Sequence, residues 1–136
     1  MCPKLQEIKI PEGVTKIPLG FASWCHLLEE VNIPKSVTVI EDDAFGSDVK
    51  LKPIDLPEGL KRIEQDALWY CAIDSIVFPA SLEYLGGGSC ANWKYIKKIY
   101  SLAPIPPYCA EDRANPGKGP FHGYTPNDIP LYVPIG

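Results

Sequence analysis

Four segments of the chain superimpose without a gap: LQEIKIPEGVTKI from Leu5, LEEVNIPKSVTVI from Leu28, LKPIDLPEGLKRI from Leu51 and IDSIVFPASLEYL from Ile73. Their starts are 23, 23 and 22 residues apart, and the one missing residue falls between Cys71 and Ile73. Apolar columns run through Leu5, Leu28, Leu51, Ile73 and Ile96, then Ile8, Val31, Ile54, Ile76 and Ile99, then Ile10, Ile33, Leu56 and Phe78. A proline follows each time, at Pro11, Pro34, Pro57 and Pro79, and two more apolar columns close the unit at Val14, Val37, Leu60, Leu82 and at Ile17, Ile40, Ile63, Leu85. Every unit therefore carries the same apolar stripe, and none can bury it alone. Stacking unit on unit buries it, so the period predicts a solenoid.

Within a unit, the last two apolar positions of L-x-x-I-x-I alternate as a strand with one buried face requires. The proline ends that strand, because it has no N–H for a continuing ladder. The shorter V-T-x-I alternation reads as a brief strand or extended turn on another side of the coil. The segments after it, ASWCHL, EDDAFGSDVK, EQDALWYCA and GGGSCANWKY, mix small and aromatic residues and are read as single helical turns, well short of the roughly 12 residues at which a helix stands alone. The expected fold class is thus a repeat solenoid with one short parallel strand per coil of about 23 residues and little helix. Residues 1–102 form about four coils, starting in mid-repeat because Cys2 is in phase with Cys25. Residues 103–136 hold 8 of the 15 prolines and match no repeat. They are read as a cap over the open last coil, an irregular loop with a final strand at Leu131 to Val133, in which Tyr108, Phe121, Tyr124 and Tyr132 argue against a disordered tail.

Composition narrows the function classes. With 46% hydrophobic and 22% charged residues the chain is of globular type, and with a net charge of -4 it has no basic stripe for nucleic acid. No apolar run of membrane-spanning length is present.

The pattern L-x-x-I-x-I-P-x-x-V-T-x-I followed by D-D-A-F resembles the BspA-like leucine-rich repeats of bacterial surface proteins. LEEVNIPKSVTVIEDDAF, Leu28 to Phe45, and LKPIDLPEGLKRIEQDAL, Leu51 to Leu68, carry the likeness best. The turns at Pro18 to Ala22 and Gly86 to Cys90 depart from it. The resemblance implies a leucine-rich-repeat solenoid with an extracellular recognition or adhesion role, a protein or glycan partner and no catalytic residues or cofactor to carry over.

Residues that could carry chemistry read mostly as structure. Cys2, Cys25, Cys71 and Trp93 share one column, with Asp48 in the remaining place, so these cysteines are packing residues. Cys2 and Cys25, one coil apart, are within reach of a disulfide, whereas Cys25 and Cys71, two coils apart, are not; a Cys90 to Cys109 pairing is left open. No cysteine spacing suits a metal, Cys25-His26 lacks an orienting partner, and His122 is read as a solvated loop histidine. Gly86-Gly87-Gly88 precedes no Lys-Ser/Thr and is read as a turn.

What remains is surface. The outward positions of the main strands include Glu7, Lys9, Glu30, Asn32, Asp55, Val77, Lys98 and Tyr100, with Pro53 among them, acidic at one end and basic at the other, and these are the candidate partner-binding residues. Trp24, Trp69 and Tyr70, beside the cysteine column, form a second candidate. The resulting expectation is a non-enzymatic recognition module at a bacterial cell surface, with no nucleic acid partner and no membrane insertion by this segment. The alternative is an intracellular scaffold or regulatory interaction module, favoured by the unpaired thiols.

Overall fold

The computed structural model describes residues 2–52 and 54–123, and the backbone of Leu131–Tyr132. Its strands, in chain order, are β1 (Glu7–Lys9), β2 (Lys16–Ile17), β3 (Glu30–Asn32), β4 (Val39–Ile40), β5 (Arg62–Ile63), β6 (Ser75–Phe78), β7 (Tyr84–Leu85), β8 (Lys98–Ser101), β9 (Tyr108–Cys109) and β10 (Leu131–Tyr132). All of their pairings are parallel and join successive coils, which makes the molecule a parallel β-solenoid.

The first wall is built by the L-x-x-I-x-I segments. Here β1 pairs with β3, Ile8 opposite Val31, and β6 with β8, Ile76 opposite Ile99. The second wall is the short V-T-x-I alternation, which forms strands as well and is the more continuous of the two, in the order β2-β4-β5-β7-β9. The first wall is interrupted at the third coil, where residues 54–57 form no strand and no backbone hydrogen bond among the described residues joins them to β6. On the side facing β3 the sequence supplies a reason. Glu30 donates its N–H to the Gln6 carbonyl at 3.2 Å, but its equivalent one coil on is Pro53, which has no N–H to donate. Pro53 itself lies outside the described residues.

The third wall corrects the expectation of helical turns. Among the described residues there is no helix. Alternate residues reach back to the third residue before them, as Cys25 N does to Ala22 O, while those between reach the next coil: Ala22 N to Ala44 O at 2.8 Å, Phe45 N to Ala67 O at 2.8 Å, Leu68 N to Ser89 O at 3.0 Å and Cys90 N to Pro120 O at 3.0 Å. Two left-handed residues per coil enforce this. One column is Gly20, Asp43, Asp66 and Gly88, and the other is Trp24, Ser47, Tyr70, Asn92 and Gly123, all with φ between 55° and 74°. A left-handed residue every fourth position stops a helix from propagating.

The segment after Leu102 adds a rung to each wall in the order of a coil: β9 beside β7, residues 119–122 against 88–92, and β10 beside β8. Val133 and Tyr124 lie outside the described residues. Gly87 makes the docking possible, since a Cβ there would collide with the Asp112 backbone. His122 is corrected from a solvated residue to a half-buried one. Its Nε2 is 2.7 Å from Asp112 Oδ2, and Asp112 also accepts from Asn115 Nδ2 and Ala114 N, bonds that hold its carboxyl below the usual range despite burial.

Inside, the predicted columns form one core that includes Leu28, Val37, Ile40, Leu51, Ile54, Leu60, Ile63 and Ile76. After each proline the chain turns through Gly13 (φ 92°) or Gly59 (φ 107°) in alternate coils, and through Ser36 or Ser81 in the others. Ser81 Oγ accepts from Gly59 N at 2.9 Å and donates to Leu60 O at 2.7 Å, stitching two coils. Ser81→Ala should therefore cost about 1 to 2 kcal/mol, the loss of two half-buried hydrogen bonds. Equilibrium urea unfolding measures it, and a midpoint equal to wild type would show that solvent replaces the hydroxyl.

Candidate recognition surface

The first wall presents its outward side chains in two in-line columns. Glu7 sits opposite Glu30 and Lys9 opposite Asn32 across β1 and β3, and Ser75 sits opposite Lys98 and Val77 opposite Tyr100 across β6 and β8. Alternation along each strand puts these side chains in solvent and Ile8, Val31, Ile76 and Ile99 inward. Asp55 lies between the two pairs, at the interruption. The structure thus aligns the sequence-predicted residues on one face and divides them between two grooves that share Asp55.

The groove toward the N-terminus, about 380 Å³, is lined by Glu7, Lys9, Glu30, Asn32 and Lys52. Its cations are committed within the face: Lys9 to Glu7 and Lys52 to Glu29, each at 3.5 Å. Exposed pairs of this kind are worth at most about 1 kcal/mol. The second groove, about 330 Å³, opens where β6 loses its neighbour and is lined by Asp55, Leu56, Glu58, Ser75, Val77 and Tyr100. Val77 is 46% exposed, a large apolar side chain standing in water on the edge strand of its sheet. Asp55 and Glu58 make no ion pair among the described residues. Lys98 stands on the same face beside Ser75 but does not line either groove.

The second candidate is not brought together as one patch. Trp69 and Tyr70 are in contact, with ring centres 5.4 Å apart, whereas Trp24 lies edge-on to His26 at 5.9 Å. Trp24 and Tyr70 occupy the same left-handed column two coils apart and are exposed, and Trp69 is half-buried.

Sequence reasoning passed over the outer column of the second wall, Lys16, Val39, Arg62, Tyr84 and Tyr108, in register along the whole sheet. Arg62 stacks 3.9 Å from the centre of the Tyr84 ring, and Tyr84 stacks on Tyr108 at 5.9 Å. The signal was available, because the position before the last apolar column reads Lys, Val, Arg, Tyr at a fixed phase.

The cysteines are structural. No disulfide joins any of the five; Cys25, Cys71 and Cys90 are buried and Cys109 is exposed. Burial, with Cys2 alongside, pushes the Cys25 thiol up to about 11, and burial pushes Cys90 up to about 12, so neither supplies a thiolate near neutral pH. Asp48, in the same column, is fully buried; its Oδ1 accepts from Cys25 N at 2.8 Å while Oδ2 has no partner among the described residues, and burial raises its pKa to about 8.

Residues 1–97 match the BspA type leucine rich repeat region in six copies. The chain belongs to that family. The chain is also similar to a leucine-rich repeat protein from Bacteroides ovatus ATCC 8483, known from a crystal structure; it is 34% identical and superimposes with a TM-score of 0.70 over 72% of this chain. This BspA type chain spans 26% of that protein's length. No curated protein matches it. Repeat modules of this family are typically interaction modules.

Proposed function

We propose that this chain is a non-catalytic recognition module carried at a bacterial cell surface, and that it binds a partner protein through the outward face of its first wall. The observation that carries the reading is the groove at the sheet interruption. There an exposed Val77 and a half-buried Tyr100 lie beside Asp55 and Glu58, two carboxylates with no ion-pair partner among the described residues. A tyrosine and an aliphatic side chain ringed by charge are what a protein contact uses as its anchor. The acidic rim favours a basic segment of the partner. The cell-surface placement is supported by the family's association with bacterial surface proteins and by the Bacteroides relative. The alternative, an intracellular scaffold, is supported by five cysteines with no disulfide among them.

A pull-down with the intact chain, repeated with Tyr100→Ala and Trp69→Ala, tests the binding face. Tyr100→Ala should weaken capture of a protein partner by about thirtyfold or more, the loss of one anchor of roughly 2 kcal/mol, with Trp69→Ala close to wild type. Loss with Trp69→Ala alone would move the site to the turn edge, and equal capture by all three would remove the first wall from the reading. Antibody labelling of intact cells against permeabilised ones separates surface from interior, and signal only after permeabilisation would favour the scaffold.

A further inference from the structure

The single departure from the 23-residue step leaves a mark on the surface. The turn edge of each coil carries two residues between the cysteine column and the next strand: His26-Leu27, Val49-Lys50 and Lys94-Tyr95. The third coil has Ala72 alone. The neighbouring coils keep their spacing because the ladder of the third wall continues, Tyr70 N reaching Ala91 O at 3.0 Å. The missing residue therefore leaves a notch instead of drawing the coils together. It has a volume of about 110 Å³ and is lined by Cys71, Ala72 and, from the preceding coil, Val49. On its other sides stand Tyr70, Asn92, Lys94 and Tyr95.

The chemistry of that lining is selective. Tyr70 and Tyr95 are exposed at 39% and 54%, so two aromatic rings flank a small opening without filling it. Tyr70 is held in the left-handed region at φ 58°, where a bulky residue is strained, although Asn92 and Gly123 hold the same place in later coils without that cost. Lys94 Nζ lies 4.8 Å from the Tyr95 ring centre. Neither Lys94 nor Lys50, next to Val49, makes an ion pair among the described residues, and no carboxylate lines the notch. On a chain of net charge -4 this is a small, uncompensated positive spot between aromatic rings.

From this geometry we propose that the notch at Ala72 is a subsite for one acidic sugar unit of a glycan, a uronic or sialic acid. An aromatic ring takes the C–H face of a pyranose by the same dispersion and C–H to π attraction that packs apolar surface on aromatics. The ammonium of Lys94 takes the carboxylate in a charge-assisted contact, and the notch has room for part of one ring, not for a helix or a folded loop. The site is separate from the first-wall groove and uses none of its residues, so it stands whether or not that groove binds protein.

Nuclear magnetic resonance titration of the intact chain with D-glucuronate, D-glucose and acetate at constant ionic strength tests it. Glucuronate should shift the amides of Tyr70, Ala72 and Asn92 to Tyr95 in a saturable way. Glucose should bind the same residues about tenfold more weakly, the worth of one charged contact, and acetate should not reproduce the pattern. Lys94→Gln should bring glucuronate down to the level of glucose. A lysine inserted after Ala72, which restores the 23-residue step, should abolish both. Tyr95→Ala, at an exposed position, should do so without loss of fold should the insertion unfold the chain. Equal binding of glucuronate and glucose, acetate giving the same shifts, undiminished binding by Tyr95→Ala, or no saturable shift would each overturn the proposal.

Discussion

Raising the pH from about 4 to about 8 should strip roughly 3 to 6 kcal/mol from the stability of this domain, and Asp48→Asn should remove most of that slope. The cause is a carboxyl group in a column that otherwise holds cysteines and a tryptophan. Asp48 is fully buried, one of its oxygens has no partner among the described residues, and desolvation raises its pKa from 3.8 to about 8 against the opposing hydrogen bond from Cys25 N. Below pH 4 the group is neutral folded or unfolded, and folding is at its best. Between the two values the unfolded chain ionises while the folded chain keeps its proton, so stability falls as pH rises. Above about 8 both forms are ionised and the loss stops growing. Asp43 and Asp66, raised by burial, add slope of the same sign, and Asp112, lowered, adds the opposite sign only below the usual carboxylate range. Comparison with Asp48→Asn isolates the one group, since the amide oxygen keeps the bond from Cys25 N. Urea midpoints of both proteins at three pH values across the window measure it, and parallel lines would mean that Asp48 is ionised in the fold.

Trp93→Ala is the second large effect, about 3 to 5 kcal/mol. Trp93 is the largest fully buried side chain, it donates its indole N–H to Leu68 O at 2.7 Å, and its ring meets Phe121 edge-on at 6.3 Å. Phe121 also packs on Phe78. The substitution leaves a cavity, orphans a buried carbonyl and removes the support of residues 119–122. Exchange of the Cys90 and Asn92 amides, which donate to Pro120 O and His122 O, should speed up more than that of Phe45, two coils away. Trp93→Phe, which keeps most of the volume, should cost only about 1 to 2 kcal/mol. Equal losses for Ala and Phe would shift the weight from packing to the hydrogen bond.

The core of this protein is readable from spacing alone because each coil meets the same neighbours. Ile54, Leu60 and Ile63 lie inside for the same reason that Ile8 and Ile17 mark their columns, and one coil's pattern predicts the next. Three features escaped that logic. Pro53 reads as one outward residue among others, yet it lacks the donor that would tie the third coil to β3. The turn wall hides in ordinary letters: Gly20, Gly88 and Gly123 hint at left-handed positions, but Trp24, Asp43 and Tyr70 occupy the same columns and give no such signal. His122 looks solvated until the chain brings Asp112 beside it, a contact outside the repeat that no period can announce. Of the candidate surface, the shared face of Lys9, Asn32, Asp55, Val77 and Tyr100 follows from the period, whereas its division into two grooves at the third coil does not.

The parallel, in-register first wall is also a ruler. Lys9 and Asn32, and again Val77 and Tyr100, stand one step of about 4.8 Å apart, the spacing of adjacent strands, with Asp55 at the interruption between the pairs. An extended polypeptide laid along the solenoid axis advances about 3.4 Å per residue and shows the same side every second residue, about 6.8 Å. The two scales drift apart within two coils, so a straight partner strand can meet one column residue well and its neighbours poorly. Only a partner whose own groups repeat at the strand spacing could read every mark. Any other must concentrate its contacts at a single point along the wall, and the interruption beside Asp55 is where the marks are least evenly spaced.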